Sequence, residues 1–276
     1  MKKIFMTLFA AVMSMAVMAQ ADVWVWKNGV PVKTVQADSI TFTNPIADVY
    51  HDGTEAGYYY VDLGLTSGTK WATCNVGAKK PQDYGNYYAW GEVATKETYS
   101  WGTYKYGSNC DELTKYCTDS DLGKDGYTDS KTTLDLEDDA AYVNWGGKWR
   151  MPTYDQQTEL CNECYWVWTS SYNNSNVKGY IVYKAKSESD KGKKIYSGNT
   201  PSSSYTLSDA HIFLPAAGCC WYVELNSVGL MSRYWSSSLD TYSPSSARGI
   251  DFSSAGVLNY YDDYRCDGQS VRAVFK

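Results

Sequence analysis

The chain has 276 residues, with 25 basic and 31 acidic side chains and a net charge of −6. That balance excludes a partner gripped through its phosphate backbone, which needs a basic face. The length suffices for one large core plus a small appendage, and the aromatic share of 16% can hold together a fold with little regular structure.

Residues 1–21 read as an export signal. Lys2 and Lys3 precede an apolar run, Ile4 to Val17, too short to span a bilayer stably, and small-residue cleavage patterns follow at 17–21. No later segment has the length and apolarity of a membrane span. Removing the signal leaves 23 basic against 31 acidic residues, a net −8. The expected location is outside the cytoplasm: periplasm, cell surface or medium. Eight cysteines there predict few free thiols, although connectivity does not follow from sequence. Cys110 with Cys117, and Cys219 or Cys220 with Cys266, are candidate pairs.

Val23 to Trp26, the Asn28-Gly29 turn signal and Val30 to Val35 predict a hairpin, with Ile40-Thr41-Phe42 as a third strand. These form a small β appendage over 22–43, and 44–57 reads as a linker. The main domain is placed at 58–276. It opens on a hairpin, Tyr59 to Leu65 and Thr69 to Thr73, turning at Ser67-Gly68. Tyr87 to Gly91 is a further aromatic segment. Residues 98–147 show no period and predict a long irregular region with a short helix near Asp135–Tyr142. Pro152-Thr153-Tyr154-Asp155-Gln156 is a helix start with the spacing of a capping box, so a helix is predicted over 154–164. Short aromatic and β-branched runs follow to the C-terminus. The expected class is α+β with long irregular loops.

The most distinctive stretch is 234–265. Its 32 residues hold five Tyr, eight Ser and four Asp. Tyr offers large, rigid contact area at low entropy cost, and Ser and Asp offer adaptable hydrogen bonds, the mixture that binding loops use. Leu239, Asp240, Tyr242, Ser243, Ser245, Ser246 and Arg248 are expected to share one exposed face with Tyr260, Tyr261, Asp262, Asp263, Tyr264 and Arg265. Both runs read as aperiodic loops flanking a strand at Gly249-Ile250-Asp251-Phe252. Trp71, Trp90, Trp149 and Trp235 are expected in the core, and Arg272 in a hydrogen-bonded site beneath the tail.

Several segments together resemble a known family. They are Tyr60 to Leu65, Ser67 to Ala78, Tyr84 to Glu92, Trp149 to Thr153, Ile212 to Gly218, Tyr234 to Ser238 and Ser270 to Arg272. In this order they are similar to the Fibrobacter succinogenes major paralogous domain family. The resemblance implies a C-type-lectin-like fold, distantly similar to the formylglycine-generating enzyme fold. It also implies kinship with the variable proteins of diversity-generating retroelements, whose C-terminal segment is diversified for ligand binding. The appendage ending Asp38 to Phe42 looks like one placed before such domains in exported bacterial proteins.

Three functional readings follow. The leading one is a non-enzymatic protein that binds a protein or glycan ligand, with no cofactor and no metal. The second is a structural or adhesive surface subunit, and the third an enzyme of the formylglycine-generating type. Cys161-Asn162-Glu163-Cys164 has redox spacing but sits at a helix C-terminal end, where a thiolate gains nothing from the dipole. Two histidines, His51 and His211, are too few for an ordinary zinc set. Asp135-Leu136-Glu137-Asp138-Asp139 is acidic but lacks the spacing and glycine of a calcium loop.

Overall fold

The computed structural model describes the main chain of Ala21–Lys27 and Val30–Ala37, and residues 50–276 in full. The chain divides into two units, 1–48 and 49–276. In the first, β1 (Ala21–Lys27) and β2 (Val30–Ala37) form an antiparallel hairpin, with Ala21 opposite Ala37 and a bulge at Val25/Trp26. The expected signal up to residue 20, the third strand at 40–42 and residues 44–49 of the expected linker lie outside the described residues.

The second unit starts earlier than expected. Gly53–Glu55 (β3) pairs with Tyr58–Val61 (β4), and β4 pairs with Lys70–Asn75 (β5), so residues read as linker belong to a sheet. A Pro- and Gly-containing acidic stretch looks like linker because a three-residue edge strand carries almost no hydrophobic pattern. Tyr87–Tyr88 is β6. Residues 98–139 run as turns and short 3-10 segments, in keeping with the irregular region expected there.

The short helix, α1 (Ala140–Trp145), begins beyond the acidic run rather than within it. Asp139 fixes its start, accepting from Ala141 and Tyr142 N–H at 2.9 and 3.0 Å. The second helix, α2 (Tyr154–Glu163), is the capped one. Thr153 and Gln156 exchange both bonds of the capping box, and Leu160 and Cys161 face the core.

The remaining strands are β7 (Cys164–Thr169), β8 (Gly179–Lys184), β9 (Lys194–Ile195), β10 (His211–Pro215), β11 (Cys219–Trp221), β12 (Glu224–Asn226), β13 (Met231–Leu239), β14 (Ser246–Ser253), β15 (Gly256–Tyr264), β16 (Gln269–Ser270) and β17 (Arg272–Phe275). Among the described residues they form sheets ordered β17-β5-β4-β3, β10-β8-β7-β9, β15-β14-β13-β16-β6 and β11-β12. The last strand closes on β5 near the start of the unit, with Arg272 opposite Asn75. The architecture is α+β, mostly sheet with few helices.

Three aromatic-rich cores hold these sheets, the smallest built on Tyr165, Tyr172, Tyr183, Tyr205 and Phe213; the four expected tryptophans lie in the two larger ones. Trp90, Trp149 and Trp235 sit in one and Trp71 in the other, all at most 1% exposed. Their indole N–H groups mostly serve the backbone: Trp90 donates to Ser236 O at 2.8 Å and Trp235 to Tyr88 O at 2.9 Å. Arg272, 1% exposed, donates to Asn75 Oδ1 and to the carbonyls of Ala72, Thr73 and Phe213 at 2.7–3.0 Å. It therefore ties β17 and β5 to β10.

Adjacent carboxyls at the start of α1 are pulled apart. Burial pushes Asp139 up to about 6 against the N–H groups of Tyr142, Met151 and Ala141. At Asp138 burial is outweighed by Lys115, Tyr106, Tyr116 and Lys105, which hold it at about 2. The stability that Asp139 contributes is complete below the ordinary carboxyl range and is lost as pH rises through 6. Asp138 contributes above that range and loses its share as pH falls toward 2. Buried His211, whose pKa is lowered, adds a contribution lost on acidification and so opposes Asp139. The clean readout is a difference. Relative to Asp139→Asn, the wild type is expected to lose stability between pH 4 and 7; a pH-independent difference in thermal midpoint would contradict this.

Candidate ligand-binding face

The C-terminal tail folds as one antiparallel unit, β13-β14-β15, with β15 at the sheet edge. Tyr260 to Tyr264 are therefore strand, not loop, which corrects the aperiodic reading. The alternation is in exposure: Leu258, Tyr260 and Tyr264 are 59, 62 and 52% exposed and Asp262 is exposed, whereas Asn259, Tyr261 and Asp263 are half-buried. Successive strand residues face opposite sides of a sheet, so the thirteen expected site residues cannot share one face. Gly249 pairs with Tyr261 and Asp251 with Leu258, leaving Asn259 and Tyr260 opposite Ile250 alone. This bulge blunts the edge against pairing with other strands.

The outer face carries the exposed tyrosines. Arg248, on β14, lies beneath Tyr260, its guanidinium 4.3 Å from that ring centroid and 5.5 Å from the ring of Tyr154. Nη2 donates to Asp240 Oδ1 at 2.9 Å. Arg248 is 7% exposed, and its Nη1 has no acceptor among the described residues. Asp262 stands opposite Arg248 in the ladder; burial, then Asp240, raise its pKa, while Arg248 lowers it. Tyr264 packs edge-on to Trp101 at 6.0 Å, and Tyr242 projects from the 240–245 loop, 88% exposed. Tyr154 and Trp101 were invisible as site residues in sequence, because one opens a helix and the other sits in the irregular region.

Six expected contact residues are buried instead. Leu239 is core at 3%; Asp240 at 4% is the ion-pair partner of Arg248; Ser245 and Ser246 at 6 and 5% turn the chain into β14. Arg248 at 7% underlies the face rather than forming it. Arg265 is 0% exposed and purely internal: it donates to Tyr104 Oη and to the carbonyls of Tyr116, Pro244 and Lys115, all within 2.9–3.0 Å, with Trp90 and Tyr104 flanking it. Ser243 is half-buried. The residues left exposed are Tyr242, Tyr260, Asp262 and Tyr264.

The opposite face of β15 is an internal polar cluster. Asp263 accepts from Arg233, Tyr261 and Gln269 at 2.6–3.0 Å, and Arg233 also pairs with Asp251 at 3.2 Å. The Arg233 guanidinium sits 5.0 Å from the Trp221 ring and 4.8 Å from that of Tyr261. Burial, then the charge of Asp263, pushes Asp267 up to about 7. Tyr261 and Asp263 thus fix the hairpin and do not face outward.

Other candidate chemistry has weaker geometry. The carboxylates of Asp135, Glu137 and Asp138 converge, but Lys115 Nζ lies 2.9, 3.2 and 2.5 Å from them and takes the place a cation would need. All eight cysteines are free in the structure, against the expectation of bridges. Burial pushes Cys161 up to about 12 and Cys164 well above the ordinary thiol value, so the CxxC pair has no thiolate character. Burial likewise pushes Cys219 and Cys220 up to about 11. No described helix is long and apolar enough to cross a membrane. No family model, curated protein or solved structure matches the chain.

Proposed function

We propose that the chain is an exported, non-enzymatic ligand-binding protein whose domain is of the C-type-lectin-like, Fibrobacter succinogenes major paralogous type. Its contact surface is the outer face of the β14–β15 hairpin. The observation that carries this reading is a buried guanidinium with an unpaired N–H beneath an exposed tyrosine. An unmet buried donor costs stability, and a ligand oxygen reaching Arg248 Nη1 past Tyr260 would satisfy it. Tyr242, Tyr260 and Tyr264 supply stacking area, and Asp262 accepts hydrogen bonds from hydroxyl or amide groups. Such a set suits either a protein or a glycan ligand and uses no metal.

The same arrangement revises which substitutions separate binding from folding. Tyr260→Ser with Tyr264→Ser is expected to abolish ligand binding at a stability cost of about 1 kcal/mol, since both rings are exposed and the main loss is one cation–π contact. Adding Tyr261→Ser is expected to cost clearly more, because Tyr261 holds Asp263 and stacks on Arg233. If the triple variant melts with the double variant, Tyr261 is not structural. The surface-subunit reading would be favoured by self-association lost on deleting 22–43, and the enzyme reading by oxygen- or thiol-dependent turnover lost in Cys219→Ser or Cys220→Ser.

A further inference from the structure

The β11–β12 hairpin, outside the face just described, turns through Tyr222-Val223, the most exposed hydrophobic side chains near it at 69 and 74%. Tyr222 holds φ 53, a left-handed conformation that bulky L residues rarely adopt. The strained turn is clasped: Tyr222 N–H donates to Tyr99 O at 2.8 Å and Tyr99 N–H to Tyr222 O at 2.7 Å. At the hairpin base Cys220 and Gly268 exchange another pair of bonds at 2.8 and 2.9 Å. An aromatic ring is thus held outward at a position where glycine would be easier.

What it overhangs is a cavity of about 320 Å³, at the lower end of the volumes that hold small ligands. Tyr87 and Tyr99 contribute to its wall, and their hydroxyls are already committed, Tyr99 to Tyr87 O at 2.6 Å and Tyr87 to Ala217 O at 2.5 Å. Leu225 and Val223 extend the apolar wall. Two charged residues line it. Lys96 Nζ is 2.9 Å from Glu92 and lies over the Tyr99 and Tyr104 rings, so its charge is met. Glu97 is exposed and has no ion-pair partner among the described residues. The unbalanced charge of the cavity is therefore negative, and its lining sets the aromatic and apolar side chains Tyr99, Tyr222, Val223 and Leu225 beside the polar Asn86 and Thr95.

We propose that this cavity is a second ligand site, taking a cationic group carried on an apolar or aromatic body, with Tyr222 and Tyr99 against the body and Glu97 against the charge. An anion would meet Glu97 and find no free cation. The same chemistry arises in a free arylalkylamine or in a lysine side chain of a polypeptide. Titration calorimetry with phenethylammonium, phenylacetate and Nα-acetyl-lysine amide on the full chain tests this. Phenethylammonium is expected to bind at least about tenfold more tightly than phenylacetate, the scale of one charge contact plus cation–π attraction. Glu97→Gln is expected to remove most of that gap. Tyr222→Gly is expected to lose amine binding with an unchanged or higher thermal midpoint, since glycine accepts φ 53 without strain. Lysine amide binding within a few-fold of phenethylammonium assigns the site to a polypeptide side chain, and much weaker binding assigns it to a free amine. Equal binding of phenylacetate, full affinity in Tyr222→Gly, or no saturable binding of either amine overturns the proposal.

Discussion

Replacing Arg265 by Ala is expected to destabilise the fold by about 3–5 kcal/mol, because several buried acceptors lose their donor at about 1–3 kcal/mol each. The guanidinium is the common point of three chain segments. It bonds Tyr104 in the irregular region, Lys115 and Tyr116 further along it, and Pro244 in the loop before β14. Residues 98–139 have little regular structure of their own, so this hub positions them. Three carbonyls and a phenol would lose their donor, and each unmet buried group carries its own penalty. Arg265→Lys is not expected to rescue, because an ammonium cannot reproduce the planar fork. Denaturant unfolding measures both variants. A wild-type midpoint for Arg265→Ala would return Arg265 to the contact surface.

Arg272→Met is expected to cost a similar amount, about 3–5 kcal/mol, for the same reason, buried acceptors left unmet at about 1–3 kcal/mol each. No carboxylate lies among its hydrogen-bond partners; they are one amide oxygen and three carbonyls from β5 and β10. Burial lowers its pKa, with Tyr234 the leading opposing influence. Methionine fills similar volume but leaves those acceptors unmet where water does not reach. Because Arg272 joins two sheets, its loss is expected to appear as unfolding rather than as a local change. A variant that melts within about 1 kcal/mol of wild type would show that the sheets are held by apolar packing alone.

The parts of the fold that were legible in sequence were those with local signatures. Thr153 and Gln156 fixed the start of α2 through a three-residue spacing, and the hairpin around Ser67-Gly68 followed from alternation and a turn. The four tryptophans were placed by size and apolarity. The tail was misread because Tyr, Asn and Asp carry no hydrophobic contrast, so the period-two pattern of β15 shows only in exposure. Nor could sequence sort its arginines. Arg272 was expected beneath the tail and is found there, but Arg248 and Arg265 look equally available, and what buries them is contact with segments 8 to 161 residues away. Asp263 was assigned outward for the same reason: its partners Arg233 and Gln269 come from other strands.

The contact face is tested most directly by comparing wild type with Tyr242→Ser/Tyr260→Ser/Tyr264→Ser on one panel of surface glycans and cell-surface proteins, with thermal melts run in parallel. All three rings are more than half exposed, so the expected result is loss of the wild-type ligand with the fold kept, at a stability cost of about 1–1.5 kcal/mol. A folded triple variant that keeps full affinity would place the binding site elsewhere on the molecule.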